Sequence, residues 1–99
     1  MKVYISGGIT GLPDGNRQAF AQAENDLSKK GDDAINPHVL CANIPEGSPW
    51  ESYMKECLVA LYLCDAIYML KGWKQSKGAN IEHEKAIQMG LKVMYEDVK

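Results

Sequence analysis

Several common signatures are missing from this chain, and each absence removes a class of function. There is no basic stretch: 11 lysines and arginines stand against 13 aspartates and glutamates, for a net charge of −2, and the lysines are scattered. That balance argues against a nucleic-acid polymer as partner, because capture of a phosphate backbone needs a basic face. The expected partner is a small molecule. No apolar run approaches the ~20 residues that span a bilayer, so no membrane role is expected. Cys41, Cys57 and Cys64 are odd in number, lack C-x-x-C spacing and come without a signal peptide. They read as reduced thiols in a cytoplasmic protein. No spacing suited to a metal site emerges, and no cofactor is expected. Low-complexity segments and internal repeats are lacking too.

What is present bounds the architecture. Ninety-nine residues, 45% of them apolar, make one domain over residues 1–99 with a single core. Lys2-Val3-Tyr4-Ile5-Ser6 is β-branched and aromatic and ends at Gly7-Gly8, which reads as a buried strand entering a turn. A glycine-dense loop follows to Gly15. Phe20, Ala23 and Leu27 then recur at helical spacing over residues 16–30, and Gly31 supplies the stop. Residues 34–37 read as a short strand ended by Pro37, with loop over 41–47. Ser48-Pro49-Trp50-Glu51 opens a second helix with a capping-box pattern and a proline at the first helical position. Its inward stripe is Met54, Cys57, Leu58 and Leu61, and it runs to about Leu63. Residues 66–70 are apolar enough for a central strand, and residues 91–95 form the closing one.

This order of elements predicts an α/β fold: a three-layer open parallel sheet, Rossmann- or flavodoxin-like, of about four strands with helices on both faces. So small a sheet leaves a helix face under-covered, and Leu58, Tyr62 and Leu63 exceed what one core face needs. A homodimer or larger homo-oligomer is therefore expected.

The chemistry centres on residues 76–86. On a wheel of about 100° per residue, Ala79, Ala86, Ile87, Met89 and Gly90 gather on one side, and Glu82 and His83 fall inside that arc. Glu82 thus points inward, in the first turn of its helix after a Ser-x-Gly entry. Two readings stand. An ionised carboxylate at the edge of an apolar face is a candidate nucleophile or base, and a glutamate in a first turn can equally cap its own helix. Open parallel sheets bind ligands outside the carboxyl ends of their strands. The loop over residues 7–15, the Asn36-Pro37 turn and the segment from Lys71 to Glu82 all fall on that edge, with Tyr4 near it. Trp73 is the better candidate for stacking a base, since Trp50 reads as a staple of its helix. His83 and His38 read as rim and loop residues.

Val3-Tyr4-Ile5-Ser6-Gly7-Gly8-Ile9-Thr10-Gly11, the Cys64-Asp65-Ala66-Ile67 junction and Ser76-x-Gly78-x-x-x-Glu82-x-x-x-Ala86 resemble the nucleoside 2-deoxyribosyltransferase superfamily, which includes 2'-deoxynucleoside 5'-phosphate N-hydrolases. Closer still is the resemblance to the small proteins grouped as DUF4406, with Gly72-Trp73 ahead of the glutamate. The resemblance implies that Glu82 is a nucleophile on the anomeric carbon of a nucleoside or nucleotide and that Tyr4 orients it. It implies that Ser76 holds sugar or phosphate oxygens and that Gly7, Gly8, Ile9, Thr10 and Gly11 wrap that end of the ligand. Ser6, Asn36, Trp73 and Gly78 complete the candidate ligand contacts. Asp65 reads as structural.

Two positions depart from the family. Where its enzymes carry a second acid, an aspartate, this chain has Cys57, a poor proton donor on an apolar stripe. Glu56 turns about 100° away and does not replace it. Where the hydrolases have an arginine for phosphate, this chain has Thr10. The expected function is N-glycosidic transfer or hydrolysis on a nucleoside or nucleotide through Glu82. The alternatives are a non-catalytic nucleotide-binding module and a structural oligomer.

Overall fold

The architecture comes from a computed structural model that describes residues 1–96. Strand β1 (Lys2–Ser6) is buried on both faces from Val3 onward, as its β-branched and aromatic run requires. It lies inside a four-stranded parallel sheet with β2 (Asp33–Ile35), β3 (Ala66–Met69) and β4 (Lys92–Tyr95), in the order β2-β1-β3-β4. Val3 pairs with Ala34 on one side and Ala66 on the other. The fold is therefore a three-layer α/β sandwich. The chain steps from β1 to one side and then back across to β3 and β4, so right-handed crossovers put the intervening helices on opposite faces.

Helix α1 (Arg17–Lys29) covers one face alone, packing Phe20, Ala23 and Leu27 on Val3, Ile5, Ala66 and Leu70. Helices α3 (Trp50–Tyr62) and α4 (Lys77–Gln88) cover the other face, where Cys57, Leu61, Ala79 and Ala86 meet Tyr4, Ile67 and Met69. Alternate residues of β1 thus serve different layers, as the period of two in a strand requires. Tyr4 and Ser6 face α4.

Several local expectations change. β2 ends at Ile35, and Asn36 caps a four-residue helix, α2 (Pro37–Leu40), by accepting the His38 N–H at 2.9 Å. An asparagine followed by proline is a helix start as well as a strand stop, and the cap decides between them. Ser48 does not cap α3: its hydroxyl donates to the Pro45 carbonyl, and Pro49 occupies the cap position with no side-chain bond. Of the expected α3 stripe, Cys57 and Leu61 are buried while Met54 and Leu58 are half-buried. On α4 the buried arc is Ala79, Glu82 and Ala86; Ile87 and Gly90 are exposed. Ala79 and Ala86 lie in the core cluster with Tyr4, Ile67 and Met69, and Met89 is only half-buried against it. Among the described residues, no helix is long and apolar enough to cross a membrane.

Candidate functional site

Because Tyr4 and Ser6 lie two apart on β1, both side chains reach the α4 layer, and both end on the same carboxyl group. The Tyr4 hydroxyl donates to Glu82 Oε2 at 2.8 Å and the Ser6 hydroxyl to Oε1 at 2.6 Å. Glu82 is 5% exposed. Burial pushes its pKa up to about 7, against the two hydroxyl donors, which favour the anion. Burial, and after it the charge of Glu82, also holds the Tyr4 phenol well above its usual range. The result is a carboxyl group poised between its two protonation states at neutral pH, with both oxygens fixed in direction.

Glu82 does not cap its helix. It lies in the second turn of α4, and the free N–H of Ala79 goes to the Ser76 hydroxyl at 3.2 Å instead. The expectation of a first-turn glutamate fails because the Ser76 cap starts the helix at Lys77. Ser76 itself is thereby engaged with its own backbone.

Cys57 sits beside Tyr4 and Glu82, and burial pushes its thiol up to about 12. It is therefore almost wholly protonated at neutral pH. Cys41, which follows α2, brings its Sγ to 3.8 Å from that of Cys57. The two are far apart in sequence and without motif, and nothing in the sequence pairs them.

The glycine loop meets this region from the end of β1. A Cβ on Gly7 would stand 2.8 Å from Leu70, and one on Gly8 would stand 2.9 Å from the tip of Leu12 and 3.8 Å from Ser76. Glycine is required at Gly7, where the contact reaches the Cβ of Leu70, whereas at Gly8 the exposed Leu12 tip can swing aside. The Gly8 approach also shows that the loop and the start of α4 share one edge of the sheet. Ile9 is half-buried, and Thr10, Gly11 and Leu12 are exposed. Asn16 donates to the Gly8 carbonyl at 3.1 Å, and His38 Nε2 bonds the Gly15 carbonyl at 2.7 Å. The far end of the loop is therefore tied down, and its rim is open to solvent. His38 stands edge-on to Phe20, burial lowers its pKa, and its Nε2–H donates to that carbonyl.

The remaining candidates sort by their contacts. Asn36 is buried, but it donates to Glu24 on α1 at 3.1 Å, so no contact links it to Glu82. Gly78 marks the crossing of α4 over α3, where a Cβ would stand 3.2 Å from the Met54 sulfur. Trp73 stacks on His83 with ring centres 4.3 Å apart, and His83 Nε2 bonds the Tyr95 hydroxyl at 2.8 Å. One face of the indole is thus taken by the chain itself. These three rings, with Gly72 and Lys74, line an open cleft beside β3 and β4. A second, apolar groove runs between Ile35, Leu40, Val59 and Leu63. Glu82 lines neither. Asp65 accepts the Lys2 N–H at 2.9 Å, at the opposite edge of the sheet from Ser6, and is structural as expected. Among the described residues, no group of three or more His, Cys, Asp or Glu side chains is arranged to hold a metal ion.

A family model described as a domain of unknown function, DUF4406, matches residues 1–95. No curated protein matches the chain.

Proposed function

The chain belongs to the DUF4406 family, and from that premise and its carboxyl site we propose that it is an enzyme that breaks or transfers the N-glycosidic bond of a nucleoside or nucleotide. One observation carries the reading: Glu82 is a buried carboxyl group held at both oxygens by Tyr4 and Ser6. An N-glycosidic bond breaks through an oxocarbenium-like state, and a fixed carboxylate in a dry site both stabilises that charge and closes on it. A Glu82 oxygen bonds the anomeric carbon as the bond to the base nitrogen breaks, and the base leaves with the electron pair. Water or a second base then takes the sugar and frees the carboxylate. The substrate enters past the exposed rim at Thr10, Gly11 and Leu12, and any phosphate lies along the backbone N–H groups of that loop.

The second reading, a nucleotide-binding module without catalysis, draws on Cys57. The departing base needs a proton, and a thiol with a pKa of about 12 supplies it poorly. In the enzyme reading the wild type is accordingly slow, by roughly the 10² to 10⁴ that a general acid contributes.

The deciding experiment offers a panel of deoxynucleosides and their 5'-monophosphates and measures free base by chromatography. Glu82→Ala is expected to abolish base release while ligand affinity stays within about tenfold, since the carboxylate acts chiefly in the transition state. Cys57→Asp is expected to raise base release. If Cys57→Asp folds normally and neither it nor the wild type releases base from any compound, the binding module replaces the enzyme.

A further inference from the structure

The two thiols nearest the carboxyl site are in contact with each other, and the geometry points to Cys41 and Cys57 as a redox-active dithiol that closes to an intramolecular disulfide by exchange with a low-molecular-weight disulfide. Their sulfurs are 3.8 Å apart, and neither is engaged in a disulfide. The ~2.05 Å of an S–S bond is within reach of a small shift, because Cys41 sits in the connection between α2 and α3 rather than inside a helix. Cys57 is fixed within α3, so the movement falls to Cys41.

Exposure assigns the roles. Cys41 is half-buried and open to a small reagent, whereas Cys57 is buried behind it. Cys41 therefore meets the oxidant and Cys57 resolves the adduct. Cys41 loses its proton and attacks one sulfur of the small disulfide, giving a mixed disulfide and expelling one thiolate, which takes up a proton. Cys57 then loses its proton and attacks the Cys41 sulfur, expelling the second thiolate, protonated in its turn. The protein gives up two electrons and two protons, and the small disulfide receives both. Burial raises both thiols above their usual range, so the exchange is slow and shielded from accidental oxidation.

Closure has a consequence for the site. The Cys57 thiol beside Tyr4 becomes a disulfide sulfur with no proton and no thiolate form, so the surroundings of Glu82 differ between the two forms. The pairing of the thiols does not depend on the glycosidic reading.

Cys64 is the built-in control. Its Sγ donates to the Ala60 carbonyl at 3.3 Å, within its own turn of chain. The test incubates the full chain with oxidised glutathione, alkylates the remaining thiols, and reads intact mass and digested peptides. The expected wild-type product is lighter by two hydrogens, has one alkylated thiol at Cys64, and gives a peptide joining Cys41 to Cys57. Cys64→Ser is expected to form the same bridge and to leave no thiol to alkylate. Cys41→Ser and Cys57→Ser are expected to form at least about tenfold less internal disulfide, and Cys57→Ser to retain glutathione on Cys41. The wild-type peptide map needs no variant to fold. Three alkylated thiols in the wild type, a lasting glutathione adduct without closure, or a bridge that includes Cys64 would each overturn the assignment.

Discussion

In the unfolded chain Glu82 gives up its proton near the ordinary value of 4.5, whereas burial in the folded protein keeps it bound up to about 7. Between those values the folded form binds a proton that the unfolded form has lost, so stability falls as pH rises through that window. Below about 4.5 both forms hold the proton and above about 7 both have lost it, so the contribution is flat on either side. The full difference is about 3 kcal/mol. Glu82→Gln carries no proton to lose, and its amide can still meet the Tyr4 and Ser6 hydroxyls, which rotate to suit. The variant is therefore expected to gain on the wild type by up to ~3 kcal/mol between pH 4 and pH 8, read from urea titrations at each pH. A difference that stays constant across that range would show that the carboxyl is not held protonated. Glu82 as an inward residue is legible in the sequence because the helix period places it, while Tyr4 as the residue that orients it comes only from the family resemblance. Ser6 lies two residues from Tyr4 on the same strand, but its position at a glycine loop assigns it to the ligand instead.

At the scale of the element, α4 depends on how it starts. Ser76 satisfies the Ala79 N–H, and Asn80 donates back to the Ser76 carbonyl at 2.7 Å. Ser76→Ala is expected to cost about 1 kcal/mol of stability, and Ser76→Asp, which keeps a capping oxygen, to restore most of it. Thermal melts of the three proteins check this, and an alanine variant as stable as the wild type would leave the hydroxyl free for a ligand role. The four strands and three longer helices are readable from the sequence to within a residue or two, because their apolar spacing agrees with their stops. The connection from β2 to α3 is not. Pro37 ends a strand and begins a helix with equal right, and only the Asn36 cap, a feature of three dimensions, settles the matter. That four-residue helix carries Cys41 to Cys57, so the thiol pair stays hidden with it. The packing of Leu12 on Gly8 is hidden likewise, since an exposed leucine in a glycine loop has no period to declare its direction.

For the molecule as a whole, one face of α3 is left uncovered among the described residues. Tyr62 and Leu63 are 54% and 68% exposed, and Val59 lies exposed beside them. Leu40, Val59 and Leu63 line one apolar groove, and Tyr62 is next to Leu63 in the chain. The expected outcome of sedimentation at micromolar concentration is a homodimer or larger assembly, which Tyr62→Glu combined with Leu63→Glu reduces to single chains while far-UV circular dichroism stays unchanged. A wild-type mass equal to one chain removes the idea. The position of β1 between β2 and β3 reaches further, into how the protein is made. Of the four strands it is synthesised first, yet its neighbours are Ala34 on one side and Ala66 on the other. While the ribosome works toward β3, the apolar Val3-Tyr4-Ile5 segment has at most one edge paired, and the parallel sheet cannot close by local contacts alone. The nascent chain is thus obliged to wait for its second half, and during that interval its first strand carries an apolar, unpaired edge.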